Sequence, residues 1–459
     1  MSLALNEASF VTSQTEGVDA PADVSTVMLT DRPRDAVLFR LPGRNVTAGQ
    51  FAADALRLAD ALPHAPYAIN ICNGRYAFAV GFAAALLRGL PSLLTSDRSL
   101  ARLAGLAARY PGAVTIADAE QPGWNATLVP GPGHATTSSP AIAAGQCAAI
   151  VFTSGSTGEP VAHAKLWGAL AARSRSAGLA FSLAGSAPVS VVGMVPPQHM
   201  YGFETTILLP LHAAASAWCG PTFYPADIRA AAETLPGPLM LVTTPLQLRT
   251  LLSDGTALPP LQRIVSATAP LDPAVAQAAE QRWATEVWEI FGATEVGSIA
   301  SRRTTAGPGW APYPCVRLTN APLGLVVEAE AAVPTVLDDA VHLLACGGFE
   351  LIGRRADVVK LGGHRASLAG LNQVLTAVTG VDDGVFVPPT DGEHGGNARM
   401  TAVVVAPDAS AAAILTALRG QIDPLFLPRR IVHVDRLPRN ELGKLSATAV
   451  RALVAGQPA

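Results

Sequence analysis

The sequence predicts an α/β fold: a large N-terminal domain of parallel-rich sheets flanked by helices, then a small α+β C-terminal domain. Three observations predict it. Helical and strand patterns alternate from the start, the texture changes after about Gly353, and 459 residues suffice for two domains with sizeable cores. Phe51 to Leu62 reads as an amphipathic helix, Tyr67 to Cys72 as a strand, Tyr76 to Leu87 as a helix and Pro91 to Thr95 as a strand. Leu100 to Arg109 follows as a helix and Ala113 to Ala117 as a short strand, the alternation of a parallel sheet with crossover helices. From Gln121 to Ala144 Gly, Pro, Ser and Thr dominate, which reads as a surface connection before the apolar strand Ala148 to Phe152. Pattern and turns continue to about Gly353. Beyond it the elements shorten: helix Leu368 to Val378, strands Gly384 to Val387 and Met400 to Val405 around the turn PPTDGEHGGN, helix Ala409 to Gly420 and strand Ile431 to Val434. The domains are expected at 1–355 and 356–459.

Composition narrows the function. Charged residues are 15% of the chain and the formal net charge is −3, so neither nucleic acid nor an anionic membrane is expected as main partner. The richest apolar stretch, Ala77 to Leu87, stops at Arg88, short of the about 20 residues of a bilayer span. The start MSLALNEASF has no basic residues ahead of an apolar run, so no signal peptide is expected. Cys72, Cys147, Cys219, Cys315 and Cys346 are far apart, form no CxxC pair and read as reduced thiols of a cytoplasmic protein.

Four segments carry chemistry. In the first, the strand AAIVF opens into Thr153-Ser154-Gly155-Ser156-Thr157-Gly158-Glu159-Pro160. Its glycines let backbone N–H groups approach phosphate oxygens, and its hydroxyls add donors. It is neither a Walker A loop nor a nucleophile elbow; the bland reading is a Gly/Ser turn between strand and helix, and the density of hydroxyls and glycines after a strand weighs against it. In the second, Phe291-Gly292-Ala293-Thr294-Glu295 follows the strand-like EVWEIF. A glutamate beside a hydroxyl suits Mg²⁺ and phosphate, because Mg²⁺ takes oxygen ligands and few protein carboxylates; Phe291 could stack on a base. The bland reading is a turn with a solvated glutamate. The third runs from Gly353-Arg354-Arg355-Ala356-Asp357 into Lys360-Leu361-Gly362-Gly363-His364-Arg365, either an anion-binding hinge or a basic surface turn. The fourth, Leu437-Pro438-Arg439-Asn440-Glu441-Leu442-Gly443-Lys444, presents a lysine that is either a point charge for phosphate or simply solvated.

In this order the four segments resemble the motifs of the acyl-adenylate-forming superfamily, which includes acyl-CoA synthetases, luciferases and peptide-synthetase adenylation domains. The resemblance runs from about residue 35 to 450. It implies ATP and Mg²⁺ as cofactors, with Thr153 to Gly158 as the phosphate loop. Phe291, Gly292 and Thr294 fall in the adenine motif, Phe291 where tyrosine is usual, and Glu295 is implied as the Mg²⁺ ligand. Asp339, fourteen residues before Gly353, sits where the ribose-binding aspartate belongs, and Arg354 matches the arginine on ribose and phosphate. Ser266, Ala267 and Thr268 resemble the start of the segment flanking adenine. His199, Tyr201, Gly202 and Phe203 resemble the lining of the acyl pocket, His199 being equally readable as a packed core histidine. Lys444 matches the lysine that bridges substrate carboxylate and α-phosphate; with His199 and Glu295 it completes the implied catalytic set. Carboxylate attack on the α-phosphate brings two anions together, and Lys444, Arg354 and Mg²⁺ would offset that repulsion. In the family the small domain is mobile. It then swings to withdraw the lysine and bring in the face of Lys360, Gly362, Gly363 and Arg365, which admits a thiol.

The sequence also departs from the pattern. Val161 stands after Pro160 where the family has lysine, so Lys165 is the candidate for closing the loop. Ala356 occupies the usual hinge position, and RASLAGLN lacks the usual acidic residue. The short large domain, with GEPVAHAKLWGAL and HRASLAGLN, resembles the aryl-acid:acyl carrier protein ligases of aryl polyene and xanthomonadin pigment pathways, hydroxybenzoate ligases among them. That implies a small aryl acid such as 3- or 4-hydroxybenzoate, with Tyr201 bonding a ring hydroxyl or merely packing. It also implies the phosphopantetheine arm of an acyl carrier protein as acceptor. Free CoA is the alternative acceptor, and a non-catalytic adenylate-binding protein the alternative of another class.

Overall fold

The structure, a computed structural model, describes residues 25–95, 99–154, 160–183, 188–321, 324–354, 358–361, 364–389, 399–439, 445 and 447–456. Two large sheets build the N-terminal part. The first has six strands in the order Pro160–Leu166, Cys147–Ser154, Ser92–Leu94, Ala68–Asn70, Val114–Ala117 and Ala126–Leu128. All its neighbours are parallel except the first pair. Helices Arg75–Leu87 and Leu100–Arg109 make the crossovers, as the alternating pattern predicts. Arg75–Leu87 is buried nearly all round, which its unbroken apolar run requires. Helix Ala48–Ala61 opens on a capping box: Thr47 Oγ1 accepts from the Gln50 N–H, and the Gln50 side chain accepts from the Thr47 N–H.

The second sheet has eleven strands. Six are parallel, in the spatial order Val37–Leu41, Ala215–Trp218, Val189–Gly193, Leu239–Thr243, Arg263–Ser266 and Val287–Ala293. Every residue of Val189–Gly193 and Leu239–Thr243 is buried, as expected of parallel strands covered on both faces. Beyond Val287–Ala293 the sheet turns antiparallel through Gly297–Arg303, Gly309–Pro312, Phe349–Arg354 and Asp339–Leu343. Strands Val316–Ala321, Gly324–Ala329 and Thr335–Leu337 form a separate antiparallel sheet.

From residue 358 the chain forms the hairpin Val358–Leu361/His364–Ser367 and helix Leu368–Thr376. Strands Asp383–Val387, Thr401–Val405 and Arg430–His433 follow, with helices Ala411–Leu418 and Ala447–Val454. The two apolar clusters of this part, around Leu375 and around Val403, contain no residue before Val359. The expected turn PPTDGEHGGN lies mostly outside the described residues.

Three expectations need correction. The 121–144 stretch is not only surface connection: Ala126–Leu128 adds an edge strand, and Ala141–Ala143 pairs with Thr26–Met28. Short apolar runs between its glycines and prolines find partners, Ala126–Leu128 at an open sheet edge and Ala141–Ala143 in a separate two-stranded sheet. The hydroxyl-rich segment leads into a strand rather than a helix, Thr153 lying opposite Val161 and Ser154 opposite Pro160. PVAHAKL alternates, and proline at its first position forfeits no interior ladder bond. Finally, the parallel order gives way to antiparallel pairing after Ala293, well before Gly353. No helix among the described residues is long and apolar enough to cross a membrane.

Candidate active site

In an α/β sheet, ligands bind beyond the carboxyl ends of the parallel strands. Three predicted segments leave from such ends. Thr153 and Ser154 close the strand Cys147–Ser154, Ser266 closes Arg263–Ser266, and Phe291 to Ala293 close Val287–Ala293. Ser266 is fully buried, and its Oγ has no hydrogen-bond partner among the described residues. Ala267 is buried, and Thr268 follows at φ 82°, a conformation that a β-branched residue avoids. Such strain costs about 1–3 kcal/mol and concentrates at ligand sites.

The turn at Thr294 and Glu295 joins Val287–Ala293 to Gly297–Arg303, with both residues half-buried. Gly292 is exposed, and a Cβ there would come within 2.6 Å of the Gly297 carbonyl oxygen, so only glycine lets the two strands close. The Phe291 ring lies 5.8 Å from that of Trp310 and 5.5 Å from that of Phe349, which fixes its plane. The turn is held from behind. Lys165 Nζ donates to the Glu295 carbonyl. The Glu204 carboxylate accepts from the Ser298 N–H at 3.1 and 3.2 Å and from the Ser298 hydroxyl, while Arg173 donates to the Ser298 carbonyl. Glu289 adds a brace nearby, accepting from the Leu271 N–H at 3.0 Å and from Arg302 Nε at 2.8 Å.

The structure gives Lys165, the loop-closing candidate, a different bond, while most of the loop itself lies outside the described residues. Lys165 is buried in strand Pro160–Leu166, with its ammonium committed to the Glu295 turn. Burial holds its pKa down at about 8, against the opposing pull of Glu204 and Glu295 and with the help of Arg173.

Asp339 and Arg354, chosen fifteen residues apart in sequence, are direct cross-strand partners. Asp339 is buried. Gly353, beside Arg354, takes φ 138°, and a Cβ on it would lie 3.0 Å from the Ser367 hydroxyl, so the sheet edge meets the small domain here. Lys360 and Arg365 are cross-strand partners in the first hairpin of that domain. Gly155, Ser156, Thr157, Gly158, Gly362, Gly363 and Lys444 lie outside the described residues.

The His199 segment is the main correction. His199 Nδ1 accepts from the Tyr201 N–H at 3.3 Å, so the half-buried ring caps the short helix Met200–Phe203. Tyr201 is buried, and its hydroxyl sits 3.0 Å from the Thr243 carbonyl and 2.8 Å from the Val265 carbonyl. That hydroxyl thus serves strand-end carbonyls instead of a ring hydroxyl of a ligand. Burial raises its pKa well above the ordinary tyrosine value. Phe203 is fully buried, 4.8 Å from the Phe82 ring and 6.3 Å from the Phe78 ring, and belongs to the core rather than to a pocket. Gly202 is glycine because a Cβ would strike the Pro196 carbonyl at 2.1 Å.

Sequence reasoning passed over Arg173, Glu204, Glu289 and Arg75. The Arg75 guanidinium is buried and donates to the carbonyls of Gly193, Val195 and Trp218, tying two strand ends together. A charged residue inside an apolar helical run was the available signal for Arg75 and Arg173.

The model of the AMP-binding enzyme family matches residues 78–339, more than half of the chain. The chain belongs to the AMP-binding enzyme family. The family's cofactors are ATP and Mg²⁺, and the oxygen donors of Thr294, Glu295 and Asp339 fit a hard cation and a ribose. The chain is 31% identical over 238 residues to 4-coumarate–CoA ligase of Rhodobacter capsulatus, covering 51% of this chain and 59% of that protein. The match thus spans less than two thirds of the relative. ATP-bound MatB from Rhodopseudomonas palustris superposes with a TM-score of 0.75 at 19% identity, over 92% of this chain and 96% of that one. The o-succinylbenzoate CoA synthetase of Bacillus subtilis, in complex with its acyl-adenylate intermediate, gives a TM-score of 0.76 at 16% identity, over 91% and 95%. These likenesses establish the fold: a large N-terminal domain with a small C-terminal one.

Proposed function

We propose that the protein activates a small aryl carboxylic acid, 3- or 4-hydroxybenzoate, with ATP, and then passes the acyl group to the phosphopantetheine thiol of an acyl carrier protein. In the first half-reaction the carboxylate oxygen attacks the α-phosphorus, the bond to the β-phosphate bridging oxygen breaks, and pyrophosphate leaves. In the second, the thiol sulfur attacks the acyl carbon, AMP leaves, and the thiol proton goes to solvent. Mg²⁺, held by Glu295, would neutralise phosphate charge. Asp339 would bind ribose, Arg354 ribose and phosphate, and Lys444 would bridge the carboxylate and the α-phosphate. The observation that carries the reading is the cross-strand pairing of Asp339 with Arg354. Two residues from separate motif positions become backbone neighbours on the two outermost strands at one side of the eleven-stranded sheet, the sheet that also holds the Glu295 turn.

The fold supports the expected division at 1–355 and 356–459, with a separate apolar core on the C-terminal side. The aryl choice draws support from the likeness to 4-coumarate–CoA ligase, and the same likeness favours free CoA as the second acceptor to test. Two assays decide. Pyrophosphate release is measured with benzoates and with fatty acids, and acyl transfer is measured to a phosphopantetheinylated carrier protein and to CoA. Faster release with hydroxybenzoates and transfer to the carrier protein are expected. A preference for long-chain acids would sink the aryl choice, and turnover with CoA alone would reverse the acceptor.

A further inference from the structure

The chain reverses at Thr294 and Glu295, and the strand that follows opens on Gly297 and Ser298. Charged side chains from elsewhere in the large domain grip that backbone. The Glu204 carboxylate accepts from the Ser298 N–H at 3.1 and 3.2 Å and from the Ser298 hydroxyl. It lies so close that a Cβ on Gly297, at φ 99°, would come within 2.5 Å of Glu204 Oε1. Glycine at 297 is thus what lets the carboxylate reach the turn. Lys165 Nζ donates to the Glu295 carbonyl and Arg173 to the Ser298 carbonyl, and both cations are buried. Glu204 itself begins a π-helical turn, Glu204–Leu208, set between helices Met200–Phe203 and Leu209–His212. Such turns are rare and occur mostly at functional sites.

Charge decides what this grip does. Behind a turn that offers a carboxylate to Mg²⁺, two buried cations on their own would repel the metal. The Glu204 carboxylate offsets one of them. Burial pulls the Lys165 pKa down and the Glu204 charge opposes that pull, so the two side chains share one field. We infer that Glu204 is a positioning residue for the Mg²⁺–ATP site: it fixes the backbone on which Glu295 stands and balances the cations beneath it. This rests on the proposed role of Glu295 as the metal's ligand. Glu204 touches neither metal nor nucleotide, and its effect reaches them through Ser298 and the turn. A glutamine at 204 would keep the size of the side chain. It would lose the charge and set an amide N–H₂ in place of one acceptor, facing a Ser298 N–H that only donates.

The test is equilibrium binding of ATP to the full chain by titration calorimetry, in EDTA and in Mg²⁺, without an acid so that no turnover occurs. The wild type is expected to bind ATP more tightly with Mg²⁺. Glu204→Gln should shrink that gain about tenfold, the lower end of what is lost with a residue that orients a metal ligand, and leave the Kd in EDTA nearly unchanged. Ser298→Ala removes one hydroxyl contact and no charge. It should shrink the gain about threefold and keeps the test alive if Glu204→Gln does not fold. A purely structural role would instead lower the number of binding sites per chain while the remaining sites keep the full gain, and that result overturns the proposal. An equal loss of affinity in EDTA and in Mg²⁺ overturns it too. Glu295→Gln separates this inference from the reading beneath it. If Glu295→Gln keeps the wild-type gain, the metal role of Glu295 fails and takes that of Glu204 with it. If it loses the gain while Glu204→Gln and Ser298→Ala keep it, the positioning role alone is overturned.

Discussion

Segments 199–203 and 291–295 both sit at the carboxyl edge of the eleven-stranded sheet, and both carry residue types that suit ligand binding. Their side chains end up differently. In the first, His199 caps a helix, Tyr201 serves two strand carbonyls, Gly202 admits the Pro196 carbonyl and Phe203 fills an aromatic cluster. In the second, Gly292 is exposed and Glu295 is half-buried, while the constraints fall on the backbone of the turn: its carbonyl is held by Lys165, and Ser298 behind it by Glu204 and Arg173. A residue type names what a side chain can do, but burial decides whether it is left to do it. One segment is packed as scaffold, and the other leaves Gly292 exposed and Glu295 half-buried on a turn whose backbone is braced.

That contrast can be broken or sharpened by substitution. Phe203→Ala should cost about 3–5 kcal/mol in unfolding free energy, because it empties a packed aromatic site. Chemical denaturation would measure the loss, and the acid preference of the folded fraction should be kept. Glu295→Gln should leave stability nearly unchanged and slow acyl-AMP formation about 10²–10³-fold, read as pyrophosphate release. Equal stability losses in the two variants would erase the contrast. Lys165→Met removes the anchor of the turn and should slow the same step about 10–100-fold, the usual range for a residue that orients a metal ligand.

Lys165 also gives a pH signature. Its pKa falls from the ordinary lysine value of about 10.4 to about 8 in the fold, so the unfolded chain binds more protons between those values. The stability that Lys165 withholds is therefore missing in full below about pH 8 and regained as pH rises toward 10.4. Urea titrations across that window should show wild type gaining on Lys165→Met. Identical pH dependence would mean that the ammonium is not buried as described. The smallest effect belongs to Tyr201→Phe, about 1 kcal/mol of stability and no change in the ratio of hydroxybenzoate to benzoate turnover. A lost ratio there would return the ring hydroxyl to Tyr201.

The parallel half of the molecule was legible because buried parallel strands and their crossover helices write themselves as apolar runs with recognisable periods: Leu100–Arg109 falls on its predicted bounds. The antiparallel flank was not, because strands such as Gly309–Pro312, four residues bounded by glycine and proline, are too short to show a period and take their place only from their partners. For the same reason the pairing of Asp339 with Arg354 could be guessed as two roles but not seen as one contact. Candidate residues could be named by type and order. Their braces could not: Glu204 and Arg173 carry no motif, and only folding brings them to Ser298. Tyr201 misled because its type fitted a ligand and its burial was invisible in the sequence.

The most direct test of adenylation is a mass measurement. Wild type and Lys444→Ala are incubated with ATP, Mg²⁺ and a panel of acids, and the products are searched for acyl-AMP. The wild type is predicted to yield a hydroxybenzoyl-AMP with release of pyrophosphate, and Lys444→Ala to yield at least about 10²-fold less. No acyl-AMP from any acid, or equal amounts from both proteins, would contradict the account and leave a protein that binds adenylate without making it.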